Sequence, residues 1–118
     1  MIDQYRKRRR LRIIVPAYPA FNIYSRVAAR TTALGPVCVA TSADKMGGWD
    51  VEVIDENNLR RYGPKAPSGS AGGGADHEFL QNLRPADVVG LYGGLTSTIP
   101  RLYEIARFYK NRGIPVIA

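Results

Sequence analysis

The sequence predicts an α/β fold built on a parallel sheet with helices on both faces. Short apolar runs rich in β-branched residues recur along the chain, and helical patterns separate them. Strands joined through helices form right-handed βαβ units, which lay the strands parallel. The runs are near-continuously apolar, as strands are when both faces of their sheet are covered. The length of 118 residues suits one domain and is too short for two.

Residues 11–15 make the first strand. Leu11, Ile13, Ile14 and Val15 supply the apolar run, and Pro16 stops it. The first helix lies between Pro36, which suits an opening turn, and Gly47-Gly48, which suits a helix exit. Val39, Ala40, Ala43 and Met46 are expected to face inward along it. Residues 51–54 read as the second strand. Residues 76–83 form a second helix, with Phe79, Leu80 and Leu83 at helical spacing and Pro85 closing it. The third strand spans residues 87–92 and ends at Gly93-Gly94. Residues 98–111 are the clearest helix. Ile99, Leu102, Tyr103, Ala106 and Tyr109 form one stripe, widened by Ile105 and Phe108. Thr98 suits its N-cap, Pro100 its first turn and Gly113 its stop. A fourth strand begins within residues 115–118.

Two segments interrupt this order. Residues 17–35 form a long connection, helical over 23–32. Residues 63–74 are rich in Gly, Ser and Pro and read as a flexible loop. That loop is no phosphate cradle, because no strand runs into it and the Gly-Lys-Ser/Thr signature is missing.

Composition narrows the function. Apolar residues make up 45% and charged residues 23%, ordinary for a soluble domain. No run approaches the length of a membrane span, and no secretory leader is recognisable. The single cysteine, Cys38, excludes an internal disulfide framework. With the single histidine, His77, it argues against a self-contained zinc or iron–sulfur site. A reduced, cytoplasmic setting is expected. The net charge of +7 concentrates near the start, in Arg6, Lys7, Arg8, Arg9, Arg10 and Arg12. Residues 1–12 are therefore expected to be a solvated basic extension, and residues 13–118 the domain. Nucleic-acid binding is not expected, because only Tyr5 interleaves an aromatic ring with these charges.

Ligands of an open parallel sheet bind outside the carboxyl ends of its strands, at the point where the strand order reverses. Three segments would meet there: residues 16–22, 55–58 and 93–98. The last is the most suggestive. Gly93 and Gly94 allow close backbone approach, while Thr96, Ser97 and Thr98 offer hydroxyls at a helix start. No catalytic set emerges. Asp76-His77 reads as an exposed helix start, Cys38 as a small buried apolar residue, and Asp55 and Glu56 as solvated loop-end carboxylates.

The landmarks occur in a familiar order. Ile13-Ile14-Val15-Pro16-Ala17-Tyr18-Pro19 comes first, then Leu34-Gly35-Pro36. Gly48-Trp49-Asp50-Val51-Glu52-Val53-Ile54-Asp55-Glu56-Asn57 follows. Pro85-Ala86-Asp87-Val88-Val89-Gly90, Thr96-Ser97-Thr98 and Gly113-Ile114-Pro115-Val116-Ile117-Ala118 complete it. This set resembles the N-terminal cobalamin-binding-like domain of cobalamin-associated radical S-adenosylmethionine proteins. The resemblance implies a flavodoxin-like (Rossmann-like) sheet with cobalamin lying flat over the strand ends. By position, Tyr18, Asn22, Gly93, Gly94, Thr96, Ser97 and Thr98 would contact it.

The chain departs from the wider cobalamin fold in one respect. Asp76-His77-Glu78 does not match the Asp-x-His-x-x-Gly ligation motif, so the resemblance does not make His77 an axial ligand. The Cys-x-x-x-Cys-x-x-Cys motif that holds the family's 4Fe–4S cluster is also missing. The sheet stops after about four strands. The implied role is an accessory domain that binds or orients a corrinoid and performs no catalysis alone. The 4Fe–4S cluster and S-adenosylmethionine would belong to a downstream barrel domain. The alternative is an interaction module that docks a partner domain or self-associates through residues 98–111 and the under-covered residues 114–118.

Overall fold

The structure, a computed structural model, describes residues 8–18, 33–57, 74–94 and 96–118. In chain order these form β1 (Arg9–Val15), α1 (Leu34–Met46), β2 (Trp49–Asp55), α2 (His77–Leu83) and β3 (Val88–Leu91). A single 3-10 turn (Thr96–Thr98), α3 (Ile99–Lys110) and β4 (Val116–Ile117) follow. Among the described residues the four strands form one parallel sheet in the order β2-β1-β3-β4. This is a truncated flavodoxin-like arrangement. The chain steps from β1 to β2 in one direction and from β2 to β3 in the other. Right-handed crossovers then put α1 on one face and α2 and α3 on the opposite face.

The core lies between the sheet and the α2–α3 layer. Ile14, Ile54, Val89 and Leu91 point from the strands toward Leu80, Leu102, Ile105 and Tyr109. The buried stripe of α3 is Arg101, Leu102, Ile105 and Tyr109, while Tyr103 is 65% exposed. Thr98 stands at the N-cap position of α3 as expected, and Pro100 lies in its first turn. Gly47 after α1 (φ 77°) and Gly113 after α3 (φ 74°) have the positive dihedrals that favour glycine at helix exits. Asp76 caps α2, its carboxylate accepting a bond from the Phe79 amide at 3.1 Å.

Several expectations need correction. β1 begins at Arg9, so Arg9, Arg10 and Arg12 are strand residues and not a solvated extension. Arg10 is held by Asp50 (2.6 Å), and Arg12 is wholly buried. Along α1 only Pro36 and Ala40 are buried. Val39, Met46 and Cys38 are exposed because the helix meets the sheet with its other side, where Pro36 and Ala40 are buried and Val37 and Ala43 half-buried. In α2 only Leu80 of the expected apolar trio is buried, while Phe79 and Leu83 are exposed. The expected exposure of His77 fails outright, for its ring is enclosed beside Tyr109. Asn22, the 23–32 helix and residues 63–73 lie outside the described residues. No helix among the described residues is long and apolar enough to cross a membrane.

Candidate functional site

The reversal of strand order falls between β1 and β3, where loops leave the carboxyl ends in opposite directions. Both loops start from paired backbone: the Glu56 amide donates to the Val15 carbonyl, and the Tyr92 amide donates to the Ile14 carbonyl. Tyr18, Gly94 and Thr98 line the crevice between them, together with Val15, Pro16 and Tyr92. Its volume is about 10 Å³, so the site is a narrow seam and not a pocket. In the segment after β3, Gly93, Gly94 and Thr96 are exposed, and Ser97 is half-buried. A Cβ at Gly94 would come within 2.5 Å of the Tyr92 ring, so a side chain there would push that half-exposed ring aside. Of the seven residues expected at the site, Tyr18, Gly94 and Thr98 line this crevice, Gly93, Thr96 and Ser97 belong to the same chain segment as Gly94 and Thr98 without lining it, and Asn22 is outside the described residues.

The electrostatics of the rim follow from partial burial. Burial, then Tyr92 and the Asp55 carboxylate, push the Tyr18 hydroxyl above its usual range. Burial also raises Asp55, against the hydrogen bonds it accepts from the Asn57 amide (3.0 Å) and side chain (3.1 Å). The loop after β1 is pinned from the side. The Tyr18 amide donates to Asn57 Oδ1 (3.0 Å), and Asn57 Nδ2 donates to the Pro16 carbonyl (3.3 Å).

Beneath the rim lies a buried polar hub that sequence reasoning missed. Glu56 is 1% exposed, and its carboxylate takes contacts from five nitrogen atoms of four groups. Oε1 accepts from the Ala17 amide (3.0 Å) and Arg101 Nε (2.9 Å). Oε2 accepts from the Ala75 amide (2.7 Å) and Arg101 Nη2 (2.7 Å), and lies 2.8 Å from His77 Nε2. Burial pushes the Glu56 carboxyl up. The hydrogen bonds and charges of His77 and Arg101 outweigh it and hold the group down to about 2. Burial works against the Arg101 charge, but Glu56 and Glu104 raise its pKa on balance.

From His77 the network continues inward. Nδ1 lies 2.8 Å from the Tyr109 hydroxyl, which accepts from Arg12 Nη1 at 3.0 Å. Arg12 also donates to Glu52 (2.6 Å), to Gln81 (3.0 Å) and to the Arg84 carbonyl. Burial raises the Tyr109 hydroxyl, against the neighbouring Arg12 charge. Among the described residues no buried side-chain nitrogen or oxygen lacks a partner.

This completeness argues against a second candidate. A groove of about 300 Å³ runs past His77, Arg101, Glu104 and Phe108. Arg101 there is bound to Glu56 and Glu104, and both His77 ring nitrogens are engaged. No group of three or more metal-binding side chains that could hold an ion occurs among the described residues.

The hub had a signal in the sequence. Arg101, Ile105 and Tyr109 are spaced i, i+4 and i+8, so Arg101 shares the apolar stripe. A charge on such a stripe needs a buried counter-charge. The position of Glu56 after the second strand puts it at this edge, but nothing in its local composition marks it as turned inward. Comparison with protein-family models, with curated proteins and with solved structures finds no match.

Proposed function

We propose that this chain is an accessory cobalamin-binding-like domain of a radical S-adenosylmethionine enzyme, orienting a corrinoid at the carboxyl edge of its parallel sheet. The observation that carries the reading is the convergence of Tyr18 with Gly94 and Thr98 on one seam at the point of strand-order reversal.

The rim residues suit a broad, flat guest. Gly93 and Gly94 offer backbone free of side chains, Thr96 offers an exposed hydroxyl, and half-exposed Tyr92 offers an aromatic surface. The small volume of the seam fits a ring lying across it better than a small molecule sunk into it. His77, the chain's single histidine, has both ring nitrogens engaged, so this chain offers no imidazole to the cobalt. A corrinoid would be held by its periphery alone.

When bound, cobalamin supplies a cobalt centre able to carry and release an alkyl group; the domain supplies position and shelter. The catalytic work belongs in this reading to a separate barrel domain with its own 4Fe–4S cluster and S-adenosylmethionine. The exposed thiol of Cys38 is in keeping with a reducing, cytoplasmic setting. Titration of the purified chain with hydroxocobalamin tests the proposal. A saturable change in the corrinoid absorption bands is expected, and it should weaken when Gly94 is replaced by valine. Unchanged bands, with no corrinoid retained on gel filtration, would defeat it.

A second reading is favoured by the outer face of α3, from which Tyr103 projects at 65% exposure. An interaction module that docks a partner domain or self-associates would use this surface. Light scattering separates the two, since a monomer at high protein concentration counts against self-association.

A further inference from the structure

We infer that Glu56 is a positioning residue that holds the two lips of the switch-point seam at a fixed separation, and so sets the width of guest the rim accepts. The inference rests on the seam being the binding site proposed above.

One lip is the loop after β1, which carries Tyr18. The other is the loop after β3, which carries Gly94 and runs through Thr98 directly into α3. Glu56 belongs to neither. It follows β2 and reaches both through one carboxylate. Oε1 accepts from the Ala17 amide, the residue before Tyr18. Both oxygens accept from the forked guanidinium of Arg101, three residues beyond Thr98 in the first turn of α3. A planar fork on a carboxylate fixes orientation as well as distance. The line from Arg101 through Glu56 to Ala17 therefore spans the seam from below.

Two further contacts keep the carboxylate from shifting. The Ala75 amide and His77 Nε2 hold Oε2 from the side of α2. Gly74 lies so close that a Cβ there would approach Glu56 Oε2 and Arg101 Nη2 to 2.5 Å each. The backbone at Gly74 thus closes on the carboxylate and its guanidinium partner, with no room for a side chain between them. Asn57, the next residue, holds Tyr18 and Pro16 in parallel with it. The polar hub consequently has a geometric consequence at the surface, beyond the stability it gives the core.

Two substitutions test this in the full chain. Arg101→Lys keeps a positive charge but removes the fork, and Glu56→Gln keeps the shape but removes the charge. The amide resonances of Ala17 and Tyr18 are followed by two-dimensional NMR, and hydroxocobalamin affinity is measured in parallel. Arg101→Lys is expected to move the Ala17 and Tyr18 amides, which lie on the lip that Arg101 does not touch. It is also expected to weaken hydroxocobalamin binding about tenfold, because a guest contact is only as good as the shell behind it. Should Glu56→Gln fail to fold, Arg101→Lys alone decides. A folded Arg101→Lys protein whose amide changes stay within α2 and α3 would reduce Glu56 to a core residue and overturn the inference. If the unaltered chain takes up no hydroxocobalamin, the proposed function falls, while the Ala17 and Tyr18 amides still judge the positioning role.

Discussion

Replacing Glu56 by glutamine probes the buried hub most directly. The side chain of Glu56 is fully buried and that of Arg101 is 6% exposed, with two bonds of 2.9 and 2.7 Å between them. Removing one partner of a buried pair costs about 3–5 kcal/mol, because the other charge stays behind without its counter-ion. Glu104 relieves Arg101 in part, through a 2.9 Å contact at a half-exposed position. Glutamine also turns an NH2 group toward the donors that Oε2 now satisfies. A loss of about 3 kcal/mol follows, a large share of the roughly 5–15 kcal/mol that holds a domain together. Urea unfolding followed by circular dichroism should show the midpoint lowered by about 1–3 M. The pH dependence gives an independent check. The Glu56 carboxyl falls from 4.5 in its ordinary state to about 2 in the fold. Its contribution is therefore fully present above pH 4.5 and is lost as the pH falls toward 2. The original protein should lose stability across that window, and Glu56→Gln should lack this component. A variant less than about 1 kcal/mol weaker, with an unchanged acid slope, would refute the reasoning.

Further outcomes follow from the same structure. Arg12→Met should cost about 2–4 kcal/mol in denaturant unfolding, because it strips the Tyr109 hydroxyl, Gln81 and the Arg84 carbonyl of their buried donor and leaves Glu52 with Arg84 alone. Gly74→Ala should destabilise by about 1–3 kcal/mol, because its Cβ would press on Glu56 and Arg101. Its thermal midpoint should fall clearly below that of Gly48→Ala, where a Cβ meets nothing within 4 Å and only the positive φ is strained. Cys38 should react with a thiol reagent in the native protein about as fast as in urea; protection by folding would contradict its exposed place on α1.

The order of strands and helices, their parallel arrangement and the edge that gathers Tyr18, Gly94 and Thr98 were legible in the sequence. These rest on local signals: β-branched runs, prolines and glycines at boundaries, and the stripe on α3. The handedness of crossovers then dictates which loops share an edge. The burial of charge was a different matter. Arg12 and Glu56 look like ordinary polar residues within any short window. Their fate depends on a register that pairs Arg10 with Asp50 and Arg12 with Glu52 across neighbouring strands. It depends equally on α3 bringing Arg101 over the end of β2. His77 shows the limit most plainly. Beside Asp76 and Glu78 it reads as a solvated helix start, but α2 is laid against Tyr109 and Glu56, residues far away in the chain. Local polarity determines where elements begin and end. Whether a charge is solvated or enclosed is decided by which distant partner the packing supplies, because only a neutralising contact makes burying it affordable.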